Sequence, residues 1–148
     1  MMALTLLRSP VTVNCVTPLR IISLKFAKAD EYNMIMELQD NLDTLKEKTM
    51  WNYYQENVID PIVGLGIVNV ESEEVERIVG IILTNTFETV SRGESMTMSG
   101  TIGLFLNPAM MNHCCVSNTR VVLDNNTLKV IAAVGIKKGA PMYNNYVR

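Results

Sequence analysis

The sequence is poor in the residues that usually build metal or catalytic centres. Its 148 residues include one histidine, one tryptophan and three cysteines. The cysteine number is odd, and the neighbours Cys114 and Cys115 could form only a strained bridge, with Cys15 far away. A disulfide framework is therefore excluded, and a reducing compartment, cytoplasm or nucleus, is expected. There is no C-x-x-C pair to complete a four-ligand zinc site. No run of 18 apolar residues is present, so no membrane span is predicted. With a net charge of −2 and no long basic run, direct nucleic-acid binding is not expected. Neither G-x-S-x-G, nor H-E-x-x-H, nor a P-loop occurs. Gly64-Leu65-Gly66 fails as a dinucleotide loop because Asn69 stands where the third glycine belongs.

Acid is missing from the N-terminal region. Through residue 29 it carries Arg8, Arg20, Lys25 and Lys28 alone, a faint imitation of a transit peptide. Arg8 and Pro10 interrupt its apolar run, and residues 1–16 read as an irregular lead-in. In a reducing compartment the sequon Asn125-Asn126-Thr127 is a chance match.

What is present is apolar: 48% of residues are hydrophobic, enough for a packed core that buries roughly 70% of the unfolded surface. The stretch from Pro18 to Phe87 reads as helical. Leu19, Ile22 and Phe26 recur at helical spacing, with Pro18 in a first turn. Asp30 is the expected N-cap of a second helix whose stripe is Met34, Ile35, Leu38, Leu42 and Leu45. Trp51 to Val58 suggests a short turn or helix ended by Asp60-Pro61. After Ser72, Val75, Ile78, Val79 and Ile82 share a face, and Glu73, Glu74 and Glu76 favour that helix's N-terminus. Beyond Asn85 the pattern changes. Ser91 to Gly100 reads as a loop, Thr101 to Leu106 as a strand, and Arg120–Leu123 with Leu128–Ala133 as a hairpin. A turn at Gly135–Gly139 and a last strand at Met142–Tyr146 complete the pattern. The fold class is α+β. The ten methionines read mainly as helix-face filler.

One segment concentrates polar groups: Asn112-His113-Cys114-Cys115-Val116-Ser117-Asn118. Adjacent residues of an extended chain face opposite ways, so His113 is not expected to orient Cys114 as a nucleophile. From the residues alone, His113 reads as a hydrogen-bonded core side chain.

The segment resembles N-H-S-C-x-P-N of SET-domain protein-lysine methyltransferases, particularly the SMYD (SET and MYND) family and its insect relatives. Gly80-Ile81-Ile82-Leu83-Thr84-Asn85-Thr86-Phe87 is similar to that family's G-x-x-x-x-N-x-F. Gly103-Leu104-Phe105 is similar to its G-L-Y/F, and Ile136-Lys137-Lys138-Gly139 to its I-x-x-G turn. Asn145-Tyr146 falls where the family has its catalytic tyrosine. Thr17-Pro18-Leu19-Arg20 and the helices behind it resemble the family's inserted helical region, so the resemblance spans about Thr17 to Arg148. It divides the chain into residues 17–84, an insert-like helical region, and residues 85–148, the C-terminal core SET segment.

The resemblance implies transfer of a methyl group from S-adenosylmethionine to a lysine of a protein substrate, a histone or another protein. It implies that Asn112, the backbone at His113, and Asn85 contact the cofactor. Tyr146 is then catalytic, and Phe87, Val121 and Leu123 wall the lysine channel. Some parts of the family pattern are not found. They are the glycine-rich first SET segment, the MYND finger and the C-x-C-x-x-C after the tyrosine. In the family a cysteine matching Cys115 joins that last segment in a zinc site, so zinc belongs only to a longer product, and Cys115 reads here as a small buried hydrophobe. Cys114 replaces the usual serine and Ser117 the usual proline. Pro141, which lacks an N–H, removes one ladder donor before Tyr146. The expectation is that this chain by itself transfers methyl groups poorly or not at all. A second function class stays open: a catalytically inactive SET-derived interaction protein in transcriptional regulation.

Overall fold

The computed structural model describes residues 12–92, 98–124 and 127–146, the side chains of 88–92, 98–102, 123 and 124 excepted. The chain divides into two compact units, one ending at Asn85 and the other starting at Thr86. The first is helical; the second holds small sheets, consistent with an α+β chain. Among the described residues no helix is long and apolar enough to cross a membrane.

In the first unit a 3-10 turn, Val13–Cys15, leads into α1, Val16–Ala27. The lead-in therefore ends earlier than expected, and Pro18 lies in the first turn of α1, where its missing N–H costs nothing. α1 buries Pro18, Ile21 and Ile22, while Phe26, assigned to the apolar face from spacing, is exposed.

The single second helix is corrected to two. α2 is Ala29–Met36, its N-cap is Lys28, and Asp30 lies inside the first turn. α3, Leu42–Lys46, starts after Asn41, which adopts the left-handed region at φ 49°, where asparagine is among the few tolerated side chains. After α4, Met50–Tyr54, and α5, Asp60–Gly64, the unit ends in α6, Ser72–Asn85, and the interruption between α2 and α3 is held against it. The Arg77 guanidinium donates to Met36 O at 2.6 Å, Thr84 Oγ1 to Asp40 O at 3.1 Å, and Asn85 Nδ2 to Gln39 O at 2.7 Å. Gly80 makes the approach possible, since a Cβ there would stand 2.7 Å from Asp40 O. Ile35, Leu38 and Leu45 are buried as their spacing requires, Leu42 is half-buried, and Met34 is exposed.

Asp60-Pro61 does not end the next helix. α4, Met50–Tyr54, passes through a π-helical stretch, Gln55–Ile59, into α5, Asp60–Gly64, with Pro61 in its first turn. Pro61 cannot donate to the carbonyl four residues back. Asn57 O, in the turn before it, accepts from Thr12 Oγ1 at 3.3 Å and Cys15 Sγ at 3.5 Å. The N-terminal turn is thus tied to the π-helical stretch. The core of this unit gathers Ile22, Ile59, Ile62, Val75, Ile78 and Ile81, each worth roughly 1.5–3 kcal/mol of burial. Three helices also share a polar knot: Glu74 accepts from Lys25 Nζ at 2.7 Å and from the Tyr32 hydroxyl at 2.5 Å.

The second unit has, among its described residues, three two-stranded sheets. β1, Thr86–Arg92, and β2, Met98–Leu104, are antiparallel, with Phe87 opposite Gly103. Their strands extend into the segment read as a loop; the rest of that segment, 93–97, lies outside the described residues, as does Asn125-Asn126. After α7, Leu106–Ala109, come β3, Asn112–His113, β4, Thr119–Asp124, β5, Thr127–Ala132, and β6, Tyr143–Asn144. β4 and β5 form the expected hairpin, and β3 pairs with β6 in parallel. Between β5 and β6, Ala140 N–H bonds Lys137 O at 3.0 Å. Gly139 has φ +82°, the third position of a type II turn that glycine fills without strain.

Gly80→Ala is expected to lower stability by about 1–3 kcal/mol, although alanine is the better helix former, because the new methyl collides with backbone. The denaturant midpoint measures this. Burial, then the Glu74 carboxylate, pushes the Tyr32 phenol well above its usual value. The phenol ionises less readily folded than unfolded. Its contribution is therefore complete below about pH 10, where free tyrosine titrates, and is lost as pH rises beyond that. Tyr32→Phe is expected to flatten this alkaline loss in a pH series of unfolding curves.

Candidate functional site

The site candidates of the second unit centre on β3. Asn112 pairs with Tyr143 and His113 with Asn144. In a parallel pair, a residue bonds the two neighbours of its opposite number. Cys114 N–H reaches Asn144 O at 3.0 Å, so the N–H of His113 lies on the edge of β3 turned away from β6. The Asn112 side chain is exposed and makes no hydrogen bond among the described residues. An amide with both donors and an acceptor, beside an N–H turned away from the ladder, suits the polar groups of a bound cofactor.

Tyr146 comes to the same place from 33 residues away. Its backbone N–H donates to His113 Nδ1 at 3.1 Å, its hydroxyl donates to Met111 O, and the two rings lie 5.2 Å apart. The tyrosine, more than half exposed at 59%, is fixed at amide, ring and hydroxyl by Met111 and His113. Its supports come from β3 and the residue before it, which nothing in the sequence near Tyr146 discloses.

The path to Tyr146 is held by side chains. Asn118 Nδ2 donates to Pro141 O at 2.9 Å, and its Oδ1 accepts from Tyr143 N–H at 2.8 Å. Its own carbonyl accepts from Ala133 N–H at 2.8 Å. The buried Thr119 donates from Oγ1 to Tyr143 O at 2.6 Å. Pro141 lies outside β6, so its missing N–H removes no bond from that pair. Asn118 and Thr119 were given no role from sequence. The segment motif contains Asn118, but nothing in its spacing discloses a partner 23 residues on.

Cys115 is corrected. It is exposed, and its Sγ lies 3.4 Å from His113 Nε2. Cys115 lies in the bend just beyond β3, which brings its thiol to the imidazole. His113 is hydrogen-bonded as expected but exposed, so it is not a core residue. Among the described residues no group of three or more His, Cys, Asp or Glu side chains is arranged to hold a metal ion.

The remaining candidates have partners of their own. Asn85 ends α6 in the first unit, and its Nδ2 donates both to Gln39 O at 2.7 Å and to Ile81 O at 2.8 Å. Its amide hydrogens are committed to the helix end, which leaves the oxygen as an acceptor. Phe87 meets Phe105 edge-on, with centroids 6.4 Å apart. The same Phe105 ring covers Gly103, where a Cβ would stand 2.7 Å from it. This contact accounts for glycine in Gly103-Leu104-Phe105. Val121 is half-buried in β4, and the side chain of Leu123 lies outside the described residues. An open apolar hollow of about 650 Å³ includes Phe105, Met111, Leu128, Val130 and Met142 in its wall. Phe87 and Val121 are not part of that wall, but Val130 and Leu128 stand directly opposite Val121 and Leu123 in the hairpin. Met111 joins hollow and tyrosine, lining the first and accepting the hydroxyl of the second.

Asn118→Ala removes two hydrogen bonds and leaves a backbone donor without its partner, and is expected to cost about 1–3 kcal/mol. Faster exchange of the Tyr143 amide locates the loss.

No family model and no curated protein matches the sequence.

Proposed function

We propose that this chain is part of an S-adenosylmethionine-dependent protein-lysine methyltransferase of the SET type, contributing inserted helices and the C-terminal SET segment. The observation that carries this reading is the meeting of Asn112, His113 and Tyr146. The motif resemblance assigns the first two to the cofactor and the third to catalysis, and the parallel pairing of β3 with β6 brings them together across 33 residues.

The chemistry of the residues supports the assignment. S-adenosylmethionine supplies an activated methyl on a sulfonium. The open amide of Asn112 and the N–H of His113, turned away from β6, would bind the cofactor's polar ends. Tyr146 donates its hydroxyl proton to Met111 O and so keeps oxygen lone pairs for a polarised methyl or an amine hydrogen. A lysine amine, with an ordinary pKa near 10.4, must lose its proton before it attacks. The apolar wall of Leu128, Val130 and Met111 disfavours the charged amine by desolvation. Orientation is the protein's main contribution, as in proximity catalysis generally.

In this reading, titrating the isotopically labelled chain with S-adenosylmethionine shifts the Asn112, His113 and Tyr146 resonances with saturation below about 1 mM. Adenosine triphosphate at the same concentration leaves them in place. Absence of any saturable shift counts against the cofactor. In the full-length product, Tyr146→Phe is expected to abolish or strongly reduce radiolabelled methyl transfer to protein lysines while the thermal midpoint stays within about 2 °C. An unchanged transfer rate would remove Tyr146 from the reaction.

A further inference from the structure

The resemblance gives His113 a backbone role only. Yet both nitrogens of its imidazole are engaged, in a definite order. Nδ1 lies 3.1 Å from the Tyr146 backbone nitrogen, which can only donate. Nδ1 must therefore accept, and in the neutral ring the proton sits on Nε2. That N–H is then directed at Cys115 Sγ, 3.4 Å away. The tautomer is set by the network and not by the ring itself.

We infer that the His113 side chain is the positioning residue for Tyr146, its Nδ1 acting as the fixed acceptor that sets the backbone of the tyrosine. β6 ends at Asn144, so no ladder bond of that pair extends to Tyr146. The imidazole takes the place of the next strand residue, offering an acceptor where a carbonyl would stand. Met111 O holds the far end of the same side chain, through the hydroxyl. Two points along Tyr146, its amide and its hydroxyl, are thus fixed by one short segment. A misplacement of about 1 Å in such a group is enough to cost a reaction most of its rate. Cys115 completes the arrangement by accepting a hydrogen bond from Nε2–H, which biases the ring toward the required tautomer. The catalytic meaning of this positioning rests on the methyltransferase reading, whereas the positioning itself is a property of the free chain.

Two isosteres separate the roles of the two nitrogens. Asparagine puts an amide oxygen near the place of Nδ1, whereas glutamine reaches the place of Nε2. In the full chain, the ring nitrogens of His113 are expected to resonate as a bare Nδ1 and a protonated Nε2. The Tyr146 amide should exchange with solvent more slowly than a free amide. In His113→Gln its exchange accelerates about tenfold, the effect of one lost hydrogen bond, and in His113→Asn most of the protection returns. The opposite tautomer overturns the inference. So does a Tyr146 amide exchanging at the free rate in the unaltered chain, or equally fast in both variants. Unchanged resonances elsewhere in residues 86–146 separate these outcomes from unfolding. Where methyl transfer is measurable, His113→Gln should lower kcat far more than it raises the KM for the cofactor. Failure to bind S-adenosylmethionine would sink the enzymatic reading alone, because exchange and tautomer are read without it.

Discussion

The arrangement around β3 depends on the primary amide of Asn118. That side chain carries a donor and an acceptor in the same relation as a peptide unit, and it uses both on the segment Pro141–Tyr143. A two-residue parallel pair such as β3 and β6 is marginal alone. Here it is extended sideways by an amide that behaves like one more unit of strand, while Thr119 takes the Tyr143 carbonyl. No side-chain nitrogen or oxygen buried among the described residues lacks a partner, so this polar junction meets the usual condition for burying such groups. Through it, residues 111–113 and 143–146 keep one register, on which the setting of Tyr146 depends.

A similar device appears in the first unit, where backbone needs at a chain reversal are met by side chains of α6. Arg77, Thr84 and Asn85 each bond a carbonyl of the segment from Met36 to Asp40. Gly80 contributes by having no side chain at all. Two positions of the motif from Gly80 to Phe87, Gly80 and Asn85, therefore have a structural explanation in this reversal. Asn85 retains only its oxygen for any further partner, which narrows what it can do to accepting a hydrogen bond.

Periodicity made the elements legible, and the turns between them hard to read. Val75, Ile78 and Val79 recur on one face because α6 is regular, and the β4–β5 hairpin reflects alternation around a turn-prone tetrad. The spacing of Ile35, Leu38, Leu42 and Leu45 also looks helical throughout, yet one helix ends at Met36, Leu38 falls in the interruption, and the next helix starts at Leu42. Helical spacing survives such a break when both segments bury into the same core, so the pattern cannot report it. The Asn41 conformation that marks it costs little for asparagine and leaves no other sign. Pro61 misled for a related reason: it falls in the first turn of α5, where a proline is tolerated, and the π-helical stretch that carries the chain into it leaves no mark in a local window. At the site, the neighbourhood of Asn112 and His113 with Tyr146 was legible only through the resemblance. The Cys115 contact is made by a bend after β3, which strand alternation does not report. Burial was the wrong prior for it, because β3 lies at the surface.

The π-helical stretch at Gln55–Ile59 changes the phase of the helix that contains it. Trp51 before it and Ile62 beyond it are both buried. Their separation in sequence is close to three α turns, so an uninterrupted α-helix would line them up on one side. A π turn holds about one residue more than an α turn, and about one residue of α rotation is roughly 100°. The apolar stripe is therefore turned by about a quarter of a revolution between α4 and α5. The two ends of this run can thus bury in different directions, which those of a regular amphipathic helix cannot do. Loss of a single residue from the stretch would straighten the stripe again, and the misfit would be felt at Ile62 and Pro61 rather than at the site of the deletion.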